Sequence, residues 1–170
     1  MKKKIALFIT LFVIVLTLTG CGVGGNKKYT CEYTKKSDDD LQVIDKRTME
    51  VNSKGELVKY YVKYGYSNYG KDQEKYKKHC DEMKSVPKND KVAKNADVVK
   101  VDVGCDKDNN YQVYMYAEYD VAKLKDAEDY KDIYEMIQNN TDKDGKFKQK
   151  EWKKQFFKDY NKGKYTCDFE

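Results

Sequence analysis

Residues 140–151 carry oxygen atoms at spacings that suit a calcium ion. Calcium in protein loops takes about six to eight oxygens, supplied by alternate side chains, a main-chain carbonyl and a bidentate glutamate. Gly145 falls where such a loop turns sharply, and Phe147 occupies the apolar position that follows. The segment therefore predicts a calcium site whose ligands are Asn140, Asp142, Asp144, the carbonyl of Lys146, and Glu151.

This pattern resembles the EF-hand loop, with helices predicted on both sides. Two features reduce the negative charge that the loop offers to calcium. Asn140 stands where aspartate is usual, and four lysines outnumber the three carboxylates of the loop. The expected affinity is that of weak extracellular modules, ~0.1–1 mM. The alternative interpretation is a helix–helix loop in which Asn, Asp and Gly serve the turn conformation alone.

Catalytic chemistry finds little support in the residue pattern. His79 is the single histidine, and its neighbour Cys80 points about 100° away on a helix, so a Cys–His pair is not expected. We expect a solvent-exposed His79 and a disulfide-bonded Cys80. No serine lies in a G-x-S-x-G turn, and no Gly-rich phosphate loop follows a strand. An enzyme of unrecognised type remains an alternative interpretation.

Tyrosine is abundant, with sixteen in 170 residues. Tyrosine presents an apolar ring and a hydroxyl, which suits contacts with proteins or glycans. The alternative is that tyrosine is simply a favoured strand residue. The alternating pattern, interleaved with Lys59 and Lys63, predicts an outward partner surface formed by Tyr61, Tyr66, Tyr69, Tyr114 and Tyr116.

The periodicity of apolar residues predicts an α+β fold, mainly an antiparallel sheet with helices packed on one face. Strands are predicted over 29–35, 43–51, 57–66, 97–105, 111–120 and 165–167. Helices are predicted from Ser67 or Asn68 to Lys84, along the apolar stripe from Ala127 to Ile137, and over 149–160. Hairpin turns separate most of the strands, which favours antiparallel pairing.

The N-terminus has the pattern of an export signal. Three lysines precede an apolar stretch that is too short for a membrane span of ~20 residues. It ends in Leu18-Thr19-Gly20-Cys21, which resembles the bacterial lipobox. We therefore expect a signal peptide over 1–20, an acylated Cys21 with a flexible tether over 21–28, and a single globular domain over 29–170. Acylation, as in a palmitate-bearing lipoprotein, anchors the chain on the extracytoplasmic face of the cell membrane.

Four further cysteines, Cys31, Cys80, Cys105 and Cys167, favour two disulfides in an exported chain. A zinc site is less favoured because the four are widely scattered. If the helix ending near Lys84 is antiparallel to the strand ending at Cys105, Cys80 and Cys105 lie some ~15 Å apart. This distance disfavours a Cys80–Cys105 bond. It also disfavours Cys31–Cys167, because these two bonds form one connectivity. Two connectivities stay open, with a preference for Cys31–Cys105 and Cys80–Cys167.

Charge argues against nucleic acid as a partner. Without Lys2, Lys3 and Lys4 the 34 basic residues become 31, against 29 acidic residues, so the exported domain is close to neutral. Arg47 is the single arginine, which disfavours bidentate phosphate recognition.

The lipobox, paired strands, Tyr/Lys-rich helix and terminal Tyr165-Thr166-Cys167 together resemble the small lipoproteins of Gram-positive bacteria, of the YehR-like kind. The resemblance implies an α+β surface lipoprotein and carries over no catalytic residues. We expect a non-enzymatic binding domain at the cell surface, with an unknown protein or glycan as its partner. No cofactor is expected, apart from calcium in the alternative interpretation.

Overall fold

A computed structural model of the chain describes residues 25–37, 41–70, 72–108, 110–159 and 164–169. Its strands pair antiparallel in the order β4-β5-β3-β2-β1-β6, so the predicted α+β fold is confirmed. The strands are β1 (Lys27–Lys36), β2 (Gln42–Val51), β3 (Leu57–Ser67), β4 (Val99–Asp106), β5 (Gln112–Asp120) and β6 (Lys164–Phe169).

The helices lie in the two long connections between strands. The β3–β4 connection holds α1 (Gln73–Ser85), a 3-10 turn (Val86–Lys88) and α2 (Asp90–Lys94). The β5–β6 connection holds α3 (Val121–Leu124), a 3-10 turn (Glu128–Tyr130), α4 (Lys131–Gln138) and α5 (Gln149–Asp159). None of the helices in the described ranges is both long and apolar enough to cross a membrane.

Cross-strand register sorts the side chains onto two faces, because successive residues of a strand point to opposite sides. One row contains Cys167, Cys31, Arg47, Val62, Ala117 and Val101, and we call its side the inner face. The neighbouring row lies on the opposite side, which we call the open face, and contains Asp168, Thr30, Thr48, Tyr61, Glu118 and Lys100.

The hydrophobic core lies between the inner face and the helices. Strand residues such as Met49 and Tyr60 pack there with helix residues such as Leu124, Ile137 and Phe156, all of them buried. A second, smaller cluster joins α1 to the other end of the sheet and contains Leu41, Tyr69, Tyr76, Cys80 and Val113. The open-face positions contribute to neither cluster, so the described helices cover one face of the sheet.

Two helix predictions need correction. The first helix begins at Gln73, capped by Asp72, because Asn68 and Gly70 adopt left-handed backbone with φ of 68° and 57°. The apolar stripe predicted from Ala127 to Ile137 belongs to a 3-10 turn followed by α4, since Ala127 has extended backbone with φ of −100° and ψ of 91°. The predicted tether over 21–28 also ends earlier, because Lys27 and Lys28 already belong to β1.

The disulfides join Cys31 to Cys167 and Cys80 to Cys105, so the preferred connectivity was wrong. β6 pairs beside β1 and sets Cys167 directly opposite Cys31, with 4.1 Å between their Cα atoms. Because α1 starts at Gln73, Cys80 lies about two helical turns from the helix start. The predicted start at Ser67 or Asn68 would place it more than three turns away. Cys80 therefore lies over the end of β4, with its Cα 5.8 Å from that of Cys105.

The two disulfides should contribute unequally to stability, because they close loops of different length. The Cys31–Cys167 bond spans 136 residues and Cys80–Cys105 spans 25. We expect the Cys31→Ala/Cys167→Ala variant to lose about 5 kcal/mol of unfolding free energy and the Cys80→Ala/Cys105→Ala variant about 3.5 kcal/mol. Urea unfolding of residues 26–170 measures both losses. A non-reducing peptide map that recovers Cys31 linked to Cys105 would contradict the pairing.

Candidate functional site on the open sheet face

An open groove of about 450 Å³ crosses the middle of the open face. Four adjacent strands build it, β1, β2, β3 and β5, each through alternate residues that point away from the core. The lining combines ammonium, hydroxyl, amide and aromatic groups, and it consists of Lys28, Thr30, Glu32, Ile44, Lys46, Thr48, Tyr61, Lys63, Gln112 and Tyr116.

An aromatic wall forms one part of the groove. The rings of Tyr61 on β3 and Tyr116 on β5 stack with centroids 6.0 Å apart and planes 26° apart. The Tyr61 hydroxyl donates to the carboxylate of Glu50, and the ammonium of Lys28 lies 5.1 Å from the centre of the Tyr61 ring. Partial burial, followed by the nearby Glu50 carboxylate, raises the pKa of Tyr61, which therefore stays protonated and remains a hydrogen-bond donor.

Lys63 is a groove cation whose direct contacts are with neutral groups, while the Glu32 and Asp106 carboxylates act on it from farther away. Its Nζ donates to Oε1 of Gln112 at 2.9 Å and lies 4.0 Å from the centre of the Tyr114 ring. Within the described part of the chain it forms no ion pair, whereas Lys59 on the same strand is bonded to Glu118. Partial burial, together with the ammonium of Lys46, lowers the pKa of Lys63.

Two glycines allow close packing around Tyr114, whose ring contacts Lys63. Gly65 and Gly104 lie on either side of Tyr114 in the sheet register. A Cβ atom at Gly104 would lie 2.2 Å from Cζ of Tyr114, and one at Gly65 would lie 2.3 Å from the carbonyl oxygen of Val113. Gly104 therefore lets the ring of Tyr114 extend across β4 on the open face, and Gly65 lets β3 approach the backbone of β5 closely.

Hydroxyls and one loose ion pair complete the lining. The Thr30 and Thr48 side chains share a hydrogen bond, with 2.9 Å between their oxygens. Lys46 lies 3.8 Å from the carboxylate of Glu32, and both side chains are largely in solvent. Exposed pairs of this kind contribute little to stability. Both partners therefore remain accessible to a ligand.

Three of the five predicted surface tyrosines lie together on the open face, and two do not. Tyr61, Tyr114 and Tyr116 belong to the open face. Tyr69 is only 4 % exposed, and Tyr66 lies on the inner face opposite Val113. Their placement as outward residues was wrong, because the chain after β3 turns toward the core and α1 packs on that end of the inner face.

The same turn encloses His79, which was expected to be exposed. His79 is partly buried: its Nδ1 lies 2.8 Å from the Tyr69 hydroxyl, and its ring centre lies 5.4 Å from that of Tyr66. Cys80 forms a disulfide with Cys105, as was expected for a cysteine with a structural role. His79 and Cys80 therefore form no nucleophilic pair.

Arg47 has a structural role on the inner face. Its Nε and Nη2 bond the two carboxylate oxygens of Asp45 at 3.1 and 3.0 Å, and Asp45 is 6 % exposed. The guanidinium also lies 5.7 Å from the centre of the Phe156 ring in α5. Bidentate pairing with the partly buried Arg47 satisfies the buried Asp45 charge, which would be costly alone. The single arginine therefore lies on the face opposite the groove.

The loop predicted to bind calcium connects α4 to α5, and its backbone also contacts the β2–β3 turn. The Phe147 N–H donates to the Gly55 carbonyl at 2.9 Å, and Lys146 bridges to Glu56. Gly145 adopts left-handed backbone with φ of 76°, as the predicted sharp turn requires. The loop therefore fixes the helix pair to the end of the sheet.

The proposed calcium ligands have protein partners in this arrangement. Asn140 is 1 % exposed, and its Nδ2 donates to the Met136 carbonyl and to Gln155. Oδ1 of Asp142 accepts backbone N–H groups of the loop, chiefly that of Lys146, which lower its pKa. Glu151 pairs with Lys154 at 3.0 Å.

These contacts leave no converging set of calcium ligands. Across the described ranges, no group of three or more His, Cys, Asp or Glu side chains is placed to hold a metal ion. In this arrangement the carboxylates of Asp142, Asp144 and Glu151 are not gathered into one such group. The contacts agree with the alternative interpretation, in which these residues shape a turn.

Several groove residues were not singled out from the sequence. Alternation alone places Thr30, Thr48 and Gln112 outward, so the signal for their orientation was present. The strand order that makes β5 a neighbour of β3 was not visible in that alternation, and it is this order that brings Gln112 to Lys63. The lipobox cysteine, Cys21, lies outside the described residues.

Comparison with known proteins adds no identification. No protein-family model, curated protein or solved structure matches this chain. The resemblance to YehR-like lipoproteins therefore stays a prediction, and the functional argument depends on the groove itself.

Calcium titration of residues 26–170 tests the loop geometry directly. Trp152 follows Glu151 and packs on Phe147 with ring centres 5.9 Å apart, so its fluorescence reports on the loop. We expect no saturable change in fluorescence or melting temperature up to about 5 mM calcium, above the range of weak extracellular modules. A saturable change that disappears in Glu151→Gln but persists in Glu128→Gln would restore the calcium site.

Proposed function

We propose that this chain is a lipid-anchored binding domain on the extracytoplasmic side of a bacterial membrane, with its ligand held in the groove of the open face. The observation that carries the proposal is Lys63. Its ammonium is partly buried and contacts a neutral amide and an aromatic ring. A partly buried cation is stabilised by an opposite charge. The ligand should therefore bring an anionic group to this position.

The remaining lining favours an acidic glycan over an acidic protein. The paired threonines Thr30 and Thr48 offer hydroxyls, and Gln112 offers an amide, beside the Tyr61–Tyr116 wall. Sugar rings carry many hydroxyls and also apolar faces that suit tyrosine. Protein interfaces depend instead on a buried apolar core depleted of charge, and the lysines that line this groove do not provide one.

A carboxylate is a better candidate for the anion than a phosphate. Phosphate recognition commonly uses the two-pronged guanidinium of arginine. Arg47 is on the inner face, bonded to Asp45, so the groove offers lysine ammoniums alone as cations. A polymer of uronic acids combines carboxylates, hydroxyls and ring faces, and it is the ligand class that we propose.

Three features support the extracytoplasmic setting. Cys21 ends a lipobox-like sequence directly after an apolar signal segment. Both disulfides are of the kind that persists in oxidising compartments outside the cytoplasm. The chain beyond Lys27 contains every described strand and helix and both disulfides, so the folded domain has its own core outside the anchor.

Removing the Lys63 charge should weaken binding of polygalacturonate, used here as the uronic acid polymer. We expect Lys63→Gln to lower the affinity about tenfold, since a hydrogen bond to a charged group contributes about 1.5 kcal/mol. Isothermal titration calorimetry of residues 26–170 gives the affinity. Lys100→Gln is the matched control, because it removes the same charge from an exposed open-face position outside the groove.

Two results would contradict this ligand assignment. Equal affinities for Lys63→Gln and Lys100→Gln would place the binding site elsewhere. Binding of poly-L-glutamate, with none of polygalacturonate, would make an acidic protein the partner. Neutral dextran should bind neither variant nor the unaltered domain.

The anchor has its own test in the full-length chain expressed in a Gram-positive host. We expect palmitate labelling and recovery in the membrane fraction, and complete loss of both in Cys21→Ala, because the thiol that accepts the lipid is gone. Cys31→Ala is the control and should keep the label, since Cys31 lies in β1 within the fold. A labelled Cys21→Ala chain would contradict the lipobox assignment.

A further inference from the structure

A second depression, of about 380 Å³, lies on the inner face and is separate from the groove. It is bounded by β4 and β5 on one side and by the segment from the end of α1 to α2 on the other. Its walls are mainly apolar, with Ser85, Asn89 and Lys91 as further lining residues, and no acidic side chain lines it. The main wall residues are Val86, Val92, Val99, Val101, Met115 and Tyr119.

Tyr130, at one side of this cleft, has an unsatisfied polar group. Its side chain is 7 % exposed and packs edge-on against Tyr119 with ring centres 5.7 Å apart. Within the described part of the chain, its buried hydroxyl has no hydrogen-bond partner. A buried hydroxyl without a partner is costly, and structures usually provide one. Tyr130 therefore brings an unpartnered polar group to a residue that lines the cleft.

Lys91 gives the rim of the cleft a positive charge. Its ammonium lies 4.8 Å from the centre of the Tyr130 ring, and it forms no ion pair with any described residue. Lys94, on the same helix, pairs instead with Asp129 at 3.0 Å. The cleft thus combines a mainly apolar wall with the Lys91 ammonium at its edge, within electrostatic reach of the Asp129 carboxylate.

We propose that this inner-face cleft binds a free medium-chain fatty acid. Its hydrocarbon tail packs against the valines and Met115, and its carboxylate meets the Lys91 ammonium at the rim. The cleft volume lies within the range of small-molecule sites, about 300–1,000 Å³. The absence of lining acids favours an anionic head group over a cationic one. This site is independent of the groove and of the glycan proposed for it.

Dodecanoate below its micellar concentration is the probe, titrated calorimetrically into residues 26–170. We expect saturable binding of one equivalent. Lys91→Gln should weaken dodecanoate about tenfold and leave dodecanol, which lacks the charge, unchanged. Lys94→Gln is the matched control and should bind dodecanoate like the unaltered domain, because Lys94 does not line the cleft. Lys63→Gln should also bind normally, which separates this site from the groove.

A wall variant tests the tail contacts. Val92→Glu places a carboxylate on the α2 side of the cleft and should abolish dodecanoate binding; because Val92 also packs against the core, its melting temperature is measured alongside to show that the variant is folded. Lys91→Glu gives a second test at the exposed rim, where folding is not at risk, and should weaken binding more than Lys91→Gln does. No saturable heat with the unaltered domain, or equal weakening in Lys91→Gln and Lys94→Gln, would overturn the proposal.

Discussion

The return of the chain from β5 to β6 is the constraint on which the rest of the structure depends. β6 pairs outside β1, so the connection from β5 must cross β3, β2 and β1. α3, α4 and α5 make this crossing, and their apolar residues bury the inner face as they do so. The β3–β4 connection crosses β5 on the same side, as the bond between Cys80 and Cys105 requires. The two crossings leave the other face of the sheet open.

The Cys31–Cys167 bond fixes the end of this crossing. Cys31 is fully buried, and its partner lies directly opposite on β6, so the first and last strands remain paired. Arg47 lies opposite Cys31 in the next strand and contacts Phe156 of α5. The disulfide, the ion pair with Asp45 and the last helix therefore lie in one layer. This layer keeps α5 on the inner face and leaves the groove on the opposite side.

The fold was largely predictable because alternation of apolar residues is a local property. Lys63 was placed with the outward tyrosines from the sequence, and the register puts it on the open face with Tyr61 and Tyr116. Strand order and the starting residues of helices are not determined by this local alternation. The pairing of β6 with β1 decided the disulfides, and left-handed backbone at Asn68 and Gly70 delayed α1, which moved Cys80 and buried Tyr69. The groove combines Lys63, Gln112 and Thr30 from strands that are distant in sequence. Predicting the groove therefore also required knowledge of the strand order.

If Cys21 carries the proposed lipid, the geometry also restricts how the domain meets the membrane. Only five residues separate Cys21 from Lys27, where β1 begins, so the strand start lies within roughly 20 Å of the anchor, at about 3.3–3.6 Å per residue. Lys28 lines the groove at that same end of β1. One end of the groove therefore lies within reach of the membrane surface, and Lys63 lies four residues farther along the sheet than the level of Lys28. A long acidic glycan can enter from the distal end without crossing the lipid headgroups.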